Sequence, residues 1–414
     1  MKHYHVIIIG AGAAGLMCAL TAGQRERKVL LLDHNDEVGN KILISGGGRC
    51  NFTNLNITSE NYVSYNPKFH KSALSRFTPD SFISLLEKYN VPYREKKAGQ
   101  LFCNKKSQEI VKLLSEECRI GKVEIKTNCK IKKISKEQQF QIKTNLGDYS
   151  AESLVIATGG LSMPEIGASG FGYEIAKQFG LNIIPTYPAL VPLILSKDFR
   201  DLAGVSVDAL VACITPHQSR TDTTSGRCGA RKSFRESMLF THKGLSGPAI
   251  LQISNYWNKG DGIIINLLPD INLAETIEKW QKKRPKAELK NLMSELLPKR
   301  LVQKWLELNK PAVPCTAHQF GAGTRVNQYN KKEIAKIADA FHKWIVIPLS
   351  TEGYKIAEVT KGGVDTREIS SKTFECHKVK GLYFIGEVLD VTGDLGGFNL
   401  HWAWASGYCA GQFV

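Results

Sequence analysis

Val6-Ile7-Ile8-Ile9-Gly10-Ala11-Gly12-Ala13-Ala14-Gly15 decides the reading of this chain, because four apolar residues run straight into a turn built on three glycines. The β-branched run spells a buried strand, the glycines a turn that side chains would block, and Ala13 to Gln24 the helix that follows. A second apolar run, Val29-Leu30-Leu31-Leu32, ends in the acid Asp33. Strand, glycine turn, helix, strand and acid in this order form the dinucleotide fingerprint of a Rossmann sheet. Gly10 permits the sharp turn, Gly12 lets backbone approach a pyrophosphate, and Gly15 lets helix and strand pack closely. Ala13 and Ala14 open a helix whose free N–H groups suit phosphate charge, and Asp33 is placed to accept a hydrogen bond from an adenosine ribose. The glycines also break the apolar run where the core of a secretory leader is continuous, which argues against a leader.

A length of 414 residues exceeds one ordinary core and predicts two or three domains. A hydrophobic fraction of 43% and a charged fraction of 23% are those of a soluble globular chain, and no stretch has the apolar length of a membrane helix. The formal charge of +16 raises the question of an anionic partner. The lysines lie in short scattered groups such as Lys282-Lys283-Arg284 and Lys331-Lys332, so a solvated basic surface is expected, with nucleic acid carried as the alternative. Ten cysteines (Cys18, Cys50, Cys103, Cys118, Cys129, Cys213, Cys228, Cys315, Cys376 and Cys409) are spread singly, with no Cys-x-x-Cys pair. That spacing argues against a disulfide framework, structural zinc or a dithiol relay, and it suits reduced thiols in a cytoplasmic protein without a membrane partner.

Past the fingerprint, Gly39 to Asn51 reads as a glycine-rich polar loop, and helical patterns follow at Ser81 to Tyr89 and Ser107 to Glu117. Val123 to Lys126, Lys130 to Ile134 and Phe140 to Lys143 alternate like a β-meander, and Ser153 to Ala157 reads as a buried strand ending in Thr158-Gly159-Gly160. From about Pro188 the text changes to short strand-like runs, at Leu190 to Leu195, Ala209 to Ile214, Ser237 to Phe240 and Gly262 to Leu268. A helical stripe of Leu289, Leu292, Met293, Leu296 and Leu297 interrupts them. Gly381 to Glu387 is again a buried strand entering a glycine turn. The expected organisation is an α/β, Rossmann-like nucleotide domain in two parts, 1–187 and 357–414. Between them lies an inserted β-barrel, 188–356, with a helical part at about 272–310.

Four stretches carry a family resemblance: Gly46 to Asn54 (Gly-Gly-Gly-Arg-Cys-Asn-Phe-Thr-Asn), Ala157 to Gly160, Phe240 to Pro248 (Phe-Thr-His-Lys-Gly-Leu-Ser-Gly-Pro) and Gly386 to Asn399. Together they resemble the BaiN-like, aminoacetone-oxidase-like family of bacterial FAD-dependent NAD(P) oxidoreductases over essentially the whole chain. The resemblance implies non-covalent FAD, a flavin-binding Rossmann domain interrupted by an insert, and NAD(P)H as electron donor. It also implies that Ile131 faces the adenine edge, since the family's adenine-facing strand lies at this point. One glycine fingerprint with a remote Gly386-Glu387 turn suits a long, bent FAD better than NAD.

On that reading Gly10, Gly12, Ala13, Ala14 and Gly15 hold the pyrophosphate and Asp33 the ribose, while Asn40, Lys41, Ser45, Gly46, Gly47, Arg49, Cys50 and Asn51 line the ribityl and phosphate region. Thr158, Gly159 and Gly160 border the cofactor. Gly386, Glu387 and Asp390 approach the ribityl chain, and Gly396, Gly397, Phe398, Asn399 and Leu400 approach the flavin pyrimidine at a helix start that stabilises negative charge. His242 is the candidate for substrate contact or proton transfer; no metal site is expected. The resulting expectation is a flavoenzyme passing hydride between FAD and a small organic substrate. An RNA-binding or tRNA-modifying flavoprotein, an amine oxidase using oxygen and a flavin-bound redox sensor are the alternatives.

Overall fold

Val6, Ile7, Ile8 and Ile9 are wholly or almost wholly buried because their strand has a parallel neighbour on each side in the computed structural model. The structure describes residues 1–196, 199–214, 232–308 and 324–414. The strand Lys2–Ile9 sets Val6 against Val29 and Ile9 against Leu32 on one side, and Val6 against Ser153 and Ile9 against Ile156 on the other. Leu382–Phe384 joins beyond Asp148–Ile156, with Leu154 opposite Leu382, so a strand from the C-terminal part completes the parallel sheet. Strands buried on both faces read as unbroken apolar runs, and that is why these were visible in sequence.

The expected meander is corrected in one strand. Ile131–Lys136, Phe140–Thr144 and the first half of Asp148–Ile156 do pair antiparallel in succession. Glu124–Lys126 instead pairs parallel with Val29–Leu32 at the far edge of the sheet. It follows the helix Gln108–Ile120, and a helical crossover delivers a parallel strand, not a hairpin partner. Gly39 to Asn51, read as loop, contains a kinked helix at Asn40–Gly48 that breaks where Ser45 turns extended.

The helix Ala13–Gln24 is buried on nearly every side, sandwiched between the sheet and the closing helix Phe398–Gly411. A side chain at Gly407 would collide with the Ala14 carbonyl, so these helices touch backbone to backbone. Trp402 and Trp404 are core residues: their indole N–H groups donate to the carbonyls of Gly386 (3.0 Å) and Phe52 (2.8 Å).

The chain divides into two units. One comprises Met1–Ala189 and Tyr354–Val414; the other is built from the described residues between Leu190 and Gly353. The second unit holds a seven-stranded antiparallel sheet ordered Trp344–Val346, Gly262–Asn266, Ser206–Ile214, Ser233–Phe240, Gly244–Ser246, Leu193–Ile194, Ser350–Thr351. The expected barrel is not found: among the described residues the first and last of these strands do not pair, so the sheet stays open. Its helices Leu273–Lys283, Leu289–Met293, Lys299–Leu308 and Lys331–His342 bury Ile277, Leu292, Met293, Leu301 and Ile337 in a separate core. Residues 309–310 of the expected helical part, and Cys228 and Cys315, lie outside the described residues; the other eight cysteines are buried and form no disulfide among the described residues. Among the described residues no helix is long and apolar enough to cross a membrane.

Candidate functional site

Asp33 holds the glycine turn from inside. Its Oδ2 accepts from the Ala11 N–H (2.6 Å) and its Oδ1 from the Asn35 N–H (2.9 Å), while the carboxylate is buried. The remaining lone pairs suit two ribose hydroxyls. Gly10 has φ +105, a conformation that side chains resist, and a Cβ there would strike the Ala157 carbonyl. One at Gly15 would strike the Gly10 carbonyl, whereas one at Gly12 would meet nothing within 4 Å. Two of the glycines therefore serve packing and the third faces open space. The first bond of the helix runs from Leu16 N–H to Gly12 O (2.9 Å), leaving the N–H groups of Ala13, Ala14 and Gly15 without a helical partner. Open space against a positive helix end fits a pyrophosphate.

Beside this turn lies a polar cluster drawn from four distant stretches. Lys41 Nζ donates to Glu387 Oε2 (2.7 Å) and to Ser162 Oγ (2.6 Å). Glu387 Oε1 accepts from the Thr360 N–H (2.9 Å), and Ser162 Oγ lies 3.1 Å from it. Thr360 Oγ1 in turn accepts from the Leu161 N–H (2.8 Å). Gly160 is packed so tightly here that a Cβ would press on Thr360 Oγ1 and Glu387 Oε1. A Cβ at Gly386 would press on the Cβ of Ala14, so the C-terminal turn packs closely onto the fingerprint helix. Thr158 Oγ1 is buried with no hydrogen-bond partner among the described residues.

Glu358 borders the same cluster. Its carbonyl lies 3.2 Å from Ser162 Oγ, and its carboxyl has no hydrogen-bond partner among the described residues. Burial raises the pKa of that carboxyl and the Lys41 ammonium offsets only part of the effect, a shift toward the neutral form.

The glycine-rich stretch ends against the closing helix. Asn51, with its amide oxygen turned to the Gly397 N–H (3.0 Å), donates to the Leu101 and Thr53 carbonyls. Asn54 Nδ2 donates to Gly396 O (2.9 Å). The Asn399 side chain closes on Gly393, accepting from its N–H (2.8 Å) and donating to its carbonyl (2.9 Å). Since the first helical bond runs from His401 N–H to Gly397 O, the N–H groups of Phe398, Asn399 and Leu400 have no helical partner. They form a second positive helix end.

Other candidates are engaged within the protein or exposed. Asp390 Oδ2 accepts from the Tyr65 N–H (2.7 Å) and so secures that loop. Cys50 is fully buried, its thiol pushed up to about 12 by desolvation; it is a packing residue, not a ready nucleophile. Ser45 Oγ donates to Ile42 O, closing the helix kink, while Arg49 and Gly47 are exposed. Ile131 is half-buried opposite Thr144, in the segment that Asp33 O and Asn35 O hold through the Cys129 and Asn128 N–H groups. His242 belongs to the other unit, exposed in a hairpin turn that Thr241 Oγ1 holds by accepting from the Lys243 and Gly244 N–H groups. Among the described residues no group of three or more His, Cys, Asp or Glu could hold a metal.

His401 is fully engaged. Its Nε2–H donates to Phe77 O (3.0 Å), so Nδ1 accepts from Thr53 Oγ1 (2.8 Å), and burial pushes its pKa down to about 4. Ser162, Glu358 and Thr360 were missed in sequence. The signal that could have found the last two is Thr360-Lys361-Gly362-Gly363, a second strand-borne glycine pair.

Sheet, glycine turn, buried acid and two open helix ends define a Rossmann-type dinucleotide-binding protein. The chain belongs to the HI0933-like family, since the model of the HI0933-like protein Rossmann domain matches residues 4–413. It is 46% identical over 417 residues to a ribosomal RNA dihydrouridine synthase of Escherichia coli, covering 100% of this chain and 98% of that protein. Identity is 44% over 410 residues to a protein of the same name from Haemophilus influenzae, covering 98% and 97%. A 3-dehydro-bile acid delta(4,6)-reductase of Clostridium scindens is 30% identical over 424 residues, covering 98% and 97%.

Proposed function

We propose that this protein is an FAD-dependent reductase that converts uridine in ribosomal RNA to dihydrouridine, with NAD(P)H as electron donor. The observation that carries this reading is the 46% identity, over the full chain, to a protein named for that activity. It replaces the small organic substrate expected from the motifs, which the 30% match to a bile acid reductase supports less strongly.

The residues fit FAD. The helix start at Ala13 to Gly15 and the space over Gly12 would receive the pyrophosphate, Asp33 the adenosine ribose, and Lys41 with Glu387 the ribityl region. The N–H groups of Phe398 to Leu400, which have no helical partner, would face the pyrimidine end and favour negative charge there. When bound, the flavin supplies the hydride that uracil reduction requires. The chain must then present an unstacked base, exclude water, and deliver one proton to the carbon that does not take the hydride. Glu358, whose carboxyl burial shifts toward the neutral form, is the group we assign to carry that proton.

The test follows one preparation through two half-reactions without oxygen. NADPH or NADH should bleach the flavin, and unmodified ribosomal RNA should restore its colour. Restoration by a small enone or by oxygen, with the RNA inert, would return the reading to the small-molecule oxidoreductases.

A further inference from the structure

We propose that the basic rim of the small sheet beside the closing helix is the surface on which the substrate RNA lays its phosphate backbone. The inference rests on the RNA reading above and adds the docking face.

The stretch Arg94-Glu95-Lys96-Lys97-Ala98-Gly99-Gln100-Leu101-Phe102-Cys103-Asn104-Lys105-Lys106 has five basic residues against one acid. It folds as two antiparallel strands, Tyr93–Glu95 and Gln100–Cys103, with Arg94 opposite Phe102 and Glu95 opposite Leu101. Arg94, Lys96, Lys105 and Lys106 are exposed, and Lys96 Nζ lies 3.9 Å from the centre of the Phe102 ring. Backbone bonds bind this hairpin to the glycine stretch: the Cys103 N–H donates to Arg49 O (3.0 Å) and the Ser107 N–H to Gly48 O (3.0 Å). Lys105 and Lys106 are thereby held beside the exposed Arg49.

None of Arg49, Arg94, Lys96, Lys105 and Lys106 pairs with a carboxylate among the described residues. Elsewhere on this chain exposed cations are often neutralised, as Arg119 is by Glu116 and Arg284 by Glu295. A cluster of uncompensated cations repels itself and favours a polyanion.

The third strand of this sheet, Asn51–Asn54, connects the rim to the chemistry. It pairs with Gln100–Cys103, and through Asn51, Thr53 and Asn54 it grips Gly397, His401 and Gly396 at the start of the closing helix. Strands in a sheet lie about 4.8 Å apart, so the outer edge sits about 10 Å from the strand that borders the helix start. Phosphates held there would set the register of a neighbouring base, positioning without reading sequence.

The test uses full-length, FAD-loaded protein and unmodified ribosomal RNA transcribed in vitro, with binding measured across a sodium chloride series. The variant replaces Arg94, Lys96, Lys105 and Lys106 by Gln. A control replaces Lys130, Lys132, Lys133 and Lys143, exposed residues of the hairpin on the main sheet, in the same way. Losing four phosphate contacts should flatten the slope of log affinity against log salt by about 3 and weaken binding about tenfold or more, while the control stays near wild type. Flavin reduction by NADPH should be unchanged in both. Equal RNA binding by the rim variant and wild type, or equal loss in rim and control variants, overturns the docking face and leaves the RNA reading standing. Slower NADPH reduction with RNA binding intact overturns it too, assigning the rim to the nicotinamide donor. Wild-type protein with no affinity for the RNA overturns both readings.

Discussion

Lys41 Nζ lies 2.7 Å from Glu387 Oε2, across 346 positions of sequence, and this ion pair joins the first part of the nucleotide-binding unit to its last. Both side chains retain some exposure, 35% and 17%, so the pair acts between the buried and surface limits. Lys41→Ala should lower the flavin-to-protein ratio after gel filtration and lower the melting temperature of the FAD-free protein. In a double-mutant cycle with Glu387→Ala the coupling should be about 1 kcal/mol. Additive losses would mean that the two residues do not act on each other.

Gly12 and Gly15 should fail in different ways. A Val side chain at Gly12 enters open space, so the variant should be soluble and folded by circular dichroism yet colourless. Gly15→Ala should be destabilised with or without FAD, since its Cβ would collide with the Gly10 carbonyl. A yellow Gly12→Val protein would move the pyrophosphate elsewhere.

Glu358→Gln removes the proton but keeps the shape. Reduction of the flavin by NADPH should proceed as in wild type, whereas its reoxidation by RNA should slow by about 100-fold or more. Cys50→Ser should slow neither step, because the buried thiol has no part in proton delivery. Loss of RNA-driven reoxidation in Cys50→Ser with Glu358→Gln unaffected would exchange their roles.

The parallel core was legible because buried parallel strands leave unbroken apolar text: Val6 to Ile9, Val29 to Leu32, Leu154 to Ile156 and Leu382 to Phe384. Pairing choice was less so. Glu124–Lys126 has the alternation of a meander strand, and only the preceding helix decides that it joins the far edge. Likewise, alternation reports that the strands of the second unit are half-buried but not whether the two end strands meet. In the site, the glycines and Asp33 announce themselves by spacing. Ser162 carries no local pattern, Glu358 and Thr360 only the nearby Gly362-Gly363 pair, and topology alone brings them to the Lys41 and Glu387 cluster. His242 was conspicuous in its motif, yet the turn it occupies is held by Thr241.

Two buried histidines give the protein an acid-sensitive step. Burial pushes His70 and His401 down to about 4 from an ordinary 6.5, so the unfolded chain binds more protons than the native one between those values. Stability should be complete above about pH 6.5 and fall as pH drops toward 4, by up to about 3 kcal/mol per histidine. Denaturant titrations at pH 7, 6 and 5 should show this slope, and His401→Gln should flatten it. An unchanged slope in that variant would show that His401 is not held neutral.

The most direct measurement of the central claim is nucleoside mass spectrometry of ribosomal RNA incubated with the FAD-loaded protein and NADPH under anaerobic conditions. A uridine at a defined position should gain two hydrogens, dependent on both NADPH and the protein, and Gly12→Val should abolish the gain. Ribosomal RNA that emerges unchanged, from protein whose flavin NADPH bleaches normally, would contradict the claim.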